Sequence, residues 1–146
     1  MIRIVVNSAP IELAAELAAV EREGAGAIAT FCGLVRADAG VTTLELEHYP
    51  GATEAALRTL AEHAVATWSL GAASIVHRVG SMAVGDRIVF VGVAAAHRRA
   101  ALDACAYLID RLKTDAPFWK RETRGTESSW IEPRDSDHDA AARWQD

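Results

Sequence analysis

HRRAALDACAYLIDRLKTDAPFWKRETR, residues 97–124, holds two periodicities back to back, and the change between them decides the fold. Leu102, Cys105, Ile109 and Leu112 recur at helical spacing across 97–115, with Ala101 and Leu108 beside them, so this segment is an amphipathic helix. Pro117 has no backbone N–H and forbids the helix to continue. PFWKRETR and SSWIEP then pair as strands across a Gly-Thr turn.

Working outward, IRIVV (2–6) reads as a strand and IELAAELAAVERE (11–23) as a helix. AIATFCGLVR (27–36) and TTLELEHY (42–49) are strands, the second alternating leucine with polar groups. A long helix follows over 52–69, with Leu57, Leu60, Ala61, Ala64 and Trp68 on one face. AASIVHRVG (72–80) and DRIVFVGVAAA (86–96) are strands joined by a turn in SMAVGD. Strands in adjacent pairs and strands around helices together indicate a single α+β domain over 1–146, with a mixed or largely antiparallel sheet. Residues 134–146 form a polar tail, partly helical or loosely held.

At 146 residues such a chain buries roughly 70% of the surface it exposes when unfolded. Its net charge of -5 argues against general nucleic-acid binding, which needs a basic surface to neutralise phosphates. No apolar run approaches the roughly 20 residues that span a bilayer, and no secretory signal pattern is apparent. Cys32 and Cys105 are far apart and form no C-x-x-C motif. A disulfide or zinc site is therefore unsupported, and a reducing, cytoplasmic setting is expected. Cys105 falls on an apolar helix face as an inert thiol, and Cys32 reads as a packed strand residue.

The chain contains two lysines, Lys113 and Lys120, and thirteen arginines. Arginine stays protonated in proteins, whereas lysine can lose its proton and serve as acid, base or nucleophile. Lys113 closes a helix, where a cation is favourable against the dipole on electrostatic grounds alone. On the strand after Pro117, Phe118, Lys120 and Glu122 share one face and Trp119 and Arg121 the other. An aromatic, an amine and a carboxylate on one face suit a flat anionic ligand, and equally a solvated sheet surface.

His97 and Arg98 come where a strand ends and a helix begins. Free N–H groups and the helix dipole favour an anion there, although both residues also read as solvated members of a first turn. Arg36 ends TFCGLVR, in which Gly33 marks a close approach or a bulge. Arg134 reads as a surface ion-pair partner. His48, His63, His77 and His138 fit no metal spacing and take structural roles.

Together, FCGLVR (31–36), LELEHYPGATE (44–54), IVHRVGSMAVGD (75–86), VFVGVAAAHR (89–98), LKTDAPFWKRE (112–122) and WIEPR (130–134) resemble the large, catalytic subunit of molybdopterin synthase. The resemblance implies the α/β hammerhead fold and a central homodimer. A small ubiquitin-like sulfur-carrier subunit would bind at each end, making a heterotetramer. That partner's C-terminal Gly-Gly thiocarboxylate would give up sulfur, two atoms in turn, to cyclic pyranopterin monophosphate, forming the molybdopterin dithiolene.

By position, Lys113 and Lys120 match the family's catalytic lysines. Phe31, Leu34, Val35, Arg36, His97, Arg98, Arg121, Glu122 and Arg134 match its substrate-binding residues. Arg134 would reach the site from the other protomer. The resemblance implies no metal and no cofactor for this subunit. Two other readings compete with it: a non-catalytic binder of a pterin phosphate or ubiquitin-like protein, and an RNA-binding α+β domain. The acidic charge opposes the second.

Overall fold

The structure, a computed structural model, describes residues 1–37, 40–131 and 140–144. Its elements run β1 (Ile2–Asn7), α1 (Leu13–Val20), β2 (Ala27–Leu34), β3 (Thr43–His48), α2 (Ala52–Trp68), β4 (Ala72–Arg78), β5 (Gly80–Ala83), β6 (Arg87–Ala95), α3 (Arg98–Asp115), β7 (Phe118–Arg124) and β8 (Glu127–Ile131). The α+β class is as expected, but the strands form two sheets rather than one. The first has the order β1-β4-β6-β2, and the second β5-β3-β7-β8. Among the described residues only β1 and β4 pair in parallel; the other pairings are antiparallel.

The two faces of the first sheet are covered differently. Ile75, Val89, Val91 and Val93 face α2 and α3, packing on Leu57, Leu60, Ala104 and Leu108. The opposite face meets α1 and its approach through Ile11, Val20, Val76 and Phe90. Fully burying each large aliphatic side chain contributes about 1.5–3 kcal/mol. α1 spans fewer residues than the 11–23 read from its pattern: Glu21 turns to extended backbone at ψ 130°, and Glu21, Arg22 and Glu23 are exposed. Glu16 is buried, and Arg3 holds it with two donors, at 2.8 and 3.2 Å.

β5 runs from Gly80 into the SMAVGD segment expected to be a turn, and pairs Ala83 with Thr43 and Gly80 with Leu46. Four residues are too few to show a period, so only the pairing reveals the strand. Gly80 sits at φ +88°, in left-handed backbone that favours glycine, where the chain leaves the first sheet for the second. Val35, just past β2, joins the small core of the second sheet with Leu44, Leu46 and Met82.

Part of the tail is docked. Trp144 meets Trp68 and Tyr107 edge-on, both at 5.9 Å, and its indole N–H donates to Asp110 at 2.7 Å. Among the described residues no helix is long and apolar enough to cross a membrane.

Gly26 leads into β2, and its N–H donates to the Ala95 carbonyl. A Cβ there would lie 2.2 Å from the Ala96 carbonyl oxygen, a backbone atom that cannot swing away. Gly26→Ala is therefore expected to destabilise the protein by about 1–3 kcal/mol, read as a lower urea midpoint at unchanged m-value.

Candidate functional site

α3 runs back along the sheet from the end of β6, so its C-terminus, with Lys113, lies over the sheet end that carries Gly33, Val89 and His77. Register places these three side by side, Gly33 opposite Val89 and Val89 opposite His77. The Phe31 ring folds over Gly33; a Cβ on that glycine would come within 3.4 Å of it and 2.9 Å of Val89. The register of β2 shifts between Gly33 and Leu34, so the glycine marks both a close approach and a bulge.

The chain leaves α3 through Ala116 and Pro117 and enters β7 at once. Phe118 stacks on the His77 imidazole, with centroids 4.0 Å apart and planes at 25°. This contact joins the two sheets. On β7, Phe118 lies opposite His48, Lys120 opposite Leu46 and Glu122 opposite Leu44. Because cross-strand partners point to the same side, Lys120 and Glu122 share the face on which Val35 packs over Leu44 and Leu46.

Glu122 is buried at 9% exposure. It lies 4.0 Å from the Lys120 ammonium and accepts a hydrogen bond from Arg124 at 2.9 Å. Lys120 is half-buried and Lys113 exposed. The region thus carries two amines on either side of the joint, a buried carboxylate and aromatic surface, chemistry that suits an anionic, flat ligand.

The sequence-derived residues divide into three groups. Phe31 lies over Gly33, Lys113 acts on His77 from the end of α3, and Lys120 and Glu122 share the face that carries Val35, with Val35 buried and Arg36, next in sequence, exposed. Leu34, 52% exposed, precedes Val35 on the rim. Arg121 lies on the other side of β7, paired with Glu45 and placed over the Trp130 ring at 5.2 Å. There it belongs to an outer surface with Trp119, whose indole N–H donates to the Tyr49 hydroxyl.

His97 and Arg98 lie apart from the lysines: His97 caps α3 at its N-terminus. At 1.5 Å rise per residue, Arg98 stands about 22 Å along the helix from Lys113. Arg134 lies outside the described residues.

His77 takes the structural role expected of it, at the contact that joins the two sheets. It is 6% exposed, on a strand whose neighbours Ala73, Ile75 and Val76 are buried apolar residues. A titratable ring amid such a run is the one sequence signal that marks it. Its Nδ1 lies 2.9 Å from the Arg78 carbonyl. A carbonyl only accepts, so Nδ1 carries the proton and Nε2 keeps its lone pair. Burial, opposed by that hydrogen bond and reinforced by the charges of Lys113 and His48, lowers the His77 pKa to about 4.

Cys105 is buried, and burial pushes its thiol up to about 11, as an inert packed cysteine requires. Cys32 is half-buried and also raised, by burial against the charge of Arg87. Among the described residues no three His, Cys, Asp or Glu side chains are placed to hold a metal.

The profile of the family described as "MoaE protein" matches residues 6–115. The chain is similar to the molybdopterin synthase catalytic subunit of Salmonella typhimurium, with 47% identity over 97% of both chains. Its fold is similar to that of the molybdopterin biosynthesis MoaE protein from Burkholderia ambifaria, at TM-score 0.86 and 42% identity, covering 99% of this chain and 98% of that one. It is also similar to a chain of molybdopterin synthase from Staphylococcus aureus, at TM-score 0.82 and 32% identity, covering 89% and 96%.

The buried imidazole makes stability depend on pH with a defined sign. Its folded pKa, about 4, lies below the ordinary 6.5, so between these values the unfolded chain binds more protons and stability falls as pH falls. Between pH 7 and pH 4.5 this group is expected to cost roughly 2–3 kcal/mol. Urea titrations at the two pH values check it, with His77→Phe losing that part of the dependence.

Proposed function

The chain belongs to the MoaE protein family, and on that premise we propose that it is the catalytic subunit of a molybdopterin synthase. It transfers two sulfurs from the thiocarboxylated C-terminus of a small ubiquitin-like subunit to cyclic pyranopterin monophosphate, forming the molybdopterin dithiolene of the molybdenum cofactor. The observation that carries this reading is the position of the chain's two lysines. They flank the helix-to-strand joint, and Lys120 shares its strand face with Glu122, on the side where Val35 packs.

In this reading the sulfur nucleophile arrives on the partner, so the protein contributes positioning and electrostatics. Lys113, on the open end of α3, meets the partner's terminal carbonyl. It stabilises the oxyanion formed when that carbonyl is attacked and moves the accompanying proton. Lys120 works at the pterin as acid or base, and Glu122, buried at 4.0 Å from its amine, holds it and balances its charge. Phe31 gives a flat apolar wall for the ring system, with Leu34, Val35 and Arg36 at its rim.

His97 and Arg98 bind an anion at the N-terminus of α3, where the dipole and free N–H groups assist. Because they stand about 22 Å from Lys113 on the same helix, they join the lysines in one pocket only if a second copy supplies them. The homodimer is therefore part of the proposed site, with Arg134 a further contribution across it. Arg121 faces away from the lysines, and its role is to brace the outer surface through Glu45. The reaction belongs to cofactor biosynthesis, and a cytoplasmic location fits that role.

The test is mass spectrometry of dithiolene formation from cyclic pyranopterin monophosphate and a thiocarboxylated partner, with wild type beside Lys113→Arg. The variant keeps the charge and loses the titratable amine, so its rate is expected to fall by about 100-fold or more. Circular dichroism and sizing should show an unchanged fold and dimer. Equal product from both proteins would reduce Lys113 to a positive charge. Folded wild type that binds the partner without turnover would point instead to a non-catalytic binder.

A further inference from the structure

The chain between the lysines is held at two successive residues. The Thr53 hydroxyl donates to the Pro117 carbonyl at 2.8 Å and accepts from the Tyr49 N–H at 3.0 Å, with no surface exposed. One residue on, the Phe118 ring lies against His77. Thr53 belongs to α2, and His77 to β4 at the centre of the first sheet, so each restraint ties the joint to a different rigid element.

His77 is itself fixed. Its ring is oriented by the hydrogen bond to the Arg78 carbonyl, and its strand pairs on both sides, with Val6 of β1 and Val89 of β6. Lys113 ends the helix before this point, and Lys120 stands two residues beyond Phe118 on the same strand face. Any tilt of β7 about Phe118 therefore moves one amine relative to the other. Ring-on-ring packing sets that tilt because it constrains both distance and plane.

We propose that His77 is a positioning residue for sulfur transfer: by stacking on Phe118 it fixes the joint between α3 and β7 and so sets the spacing of Lys113 and Lys120. This rests on the catalytic reading of the two lysines, but the spacing itself is measurable without turnover. Cleavage after Arg111 and Arg121 releases residues 112–121, which carry both lysines of the chain. A bifunctional amine-reactive cross-linker that joins them within one chain appears as a mass shift on that single peptide.

The experiment compares full-length wild type, His77→Phe, His77→Leu and, as a control for lost packing, Ile75→Ala on the same strand. A series of cross-linker spacers is applied to each folded protein, and kcat and KM are measured with the thiocarboxylated partner and cyclic pyranopterin monophosphate. Phe preserves the stack, so His77→Phe should keep the wild-type spacer optimum and most of kcat. His77→Leu should broaden or shift the optimum and lower kcat by about 10- to 100-fold with little change in KM. Ile75→Ala should lose stability but keep the optimum.

An unchanged cross-linking profile in His77→Leu, or a changed profile with undiminished kcat, overturns the proposal. Equal behaviour of His77→Leu and Ile75→Ala also overturns it, because His77 would then be ordinary core. Should His77→Leu fail to fold, Phe118→Leu breaks the same stack from the other side and is judged by the same outcomes. If wild type transfers no sulfur while its cross-linking profile still depends on His77, the catalytic reading fails and the positioning of the amines stands.

Discussion

Thr53 is fully buried, and both hydrogen-bonding roles of its hydroxyl are occupied, one by Tyr49 and one by Pro117. Each bond contributes about 1 kcal/mol net, and breaking one leaves a buried polar group unpaired at greater cost. Through this hydroxyl the start of α2 grips the point where α3 gives way to β7. The second sheet is hung from that point, since β7 pairs with β3 on one side and β8 on the other. A chain that changes from helix to strand within two residues needs such a grip, because proline ends the helix without dictating where the strand goes.

The charges follow from this scaffold. Lys113 sits at the end of α3, where the helix dipole favours a cation, and remains exposed. Lys120 is half-buried beside a carboxylate that Arg124 also contacts. The buried Glu122, 4.0 Å from the Lys120 amine, balances that charge. His77 stays uncharged in the same region because burial, and to a lesser extent the charges of Lys113 and His48, disfavour a further proton. The result is a region with two amines whose supporting ring adds no charge of its own.

The far end of α3 carries a separate pair of side chains. His97 and Arg98 precede no acid in the first turn of the helix, an arrangement that opposes the dipole unless an anion is held there. Helix length alone separates this pair from the lysines. In the proposed function the two ends of this helix belong to one site, and symmetry between two copies is the means of bringing them together.

Much of the fold was legible in the sequence. The periods of α2 and α3, the alternation in β3 and the punctuation by Pro117 are local features, decided by which residues stand three, four or two places apart. The lysine pair and the family motifs were equally legible. What lay beyond the sequence was long-range pairing: β5 is too short to carry a period, and the division into two sheets depends on which strands find one another. The stack of His77 on Phe118 was hidden for the same reason, since the two rings are forty-one residues apart. The sequence by itself determined the elements and the reactive groups, because local sterics and side-chain chemistry travel with each residue. Only the tertiary structure decided which groups share a face, because that depends on contacts the chain makes after it has turned back on itself.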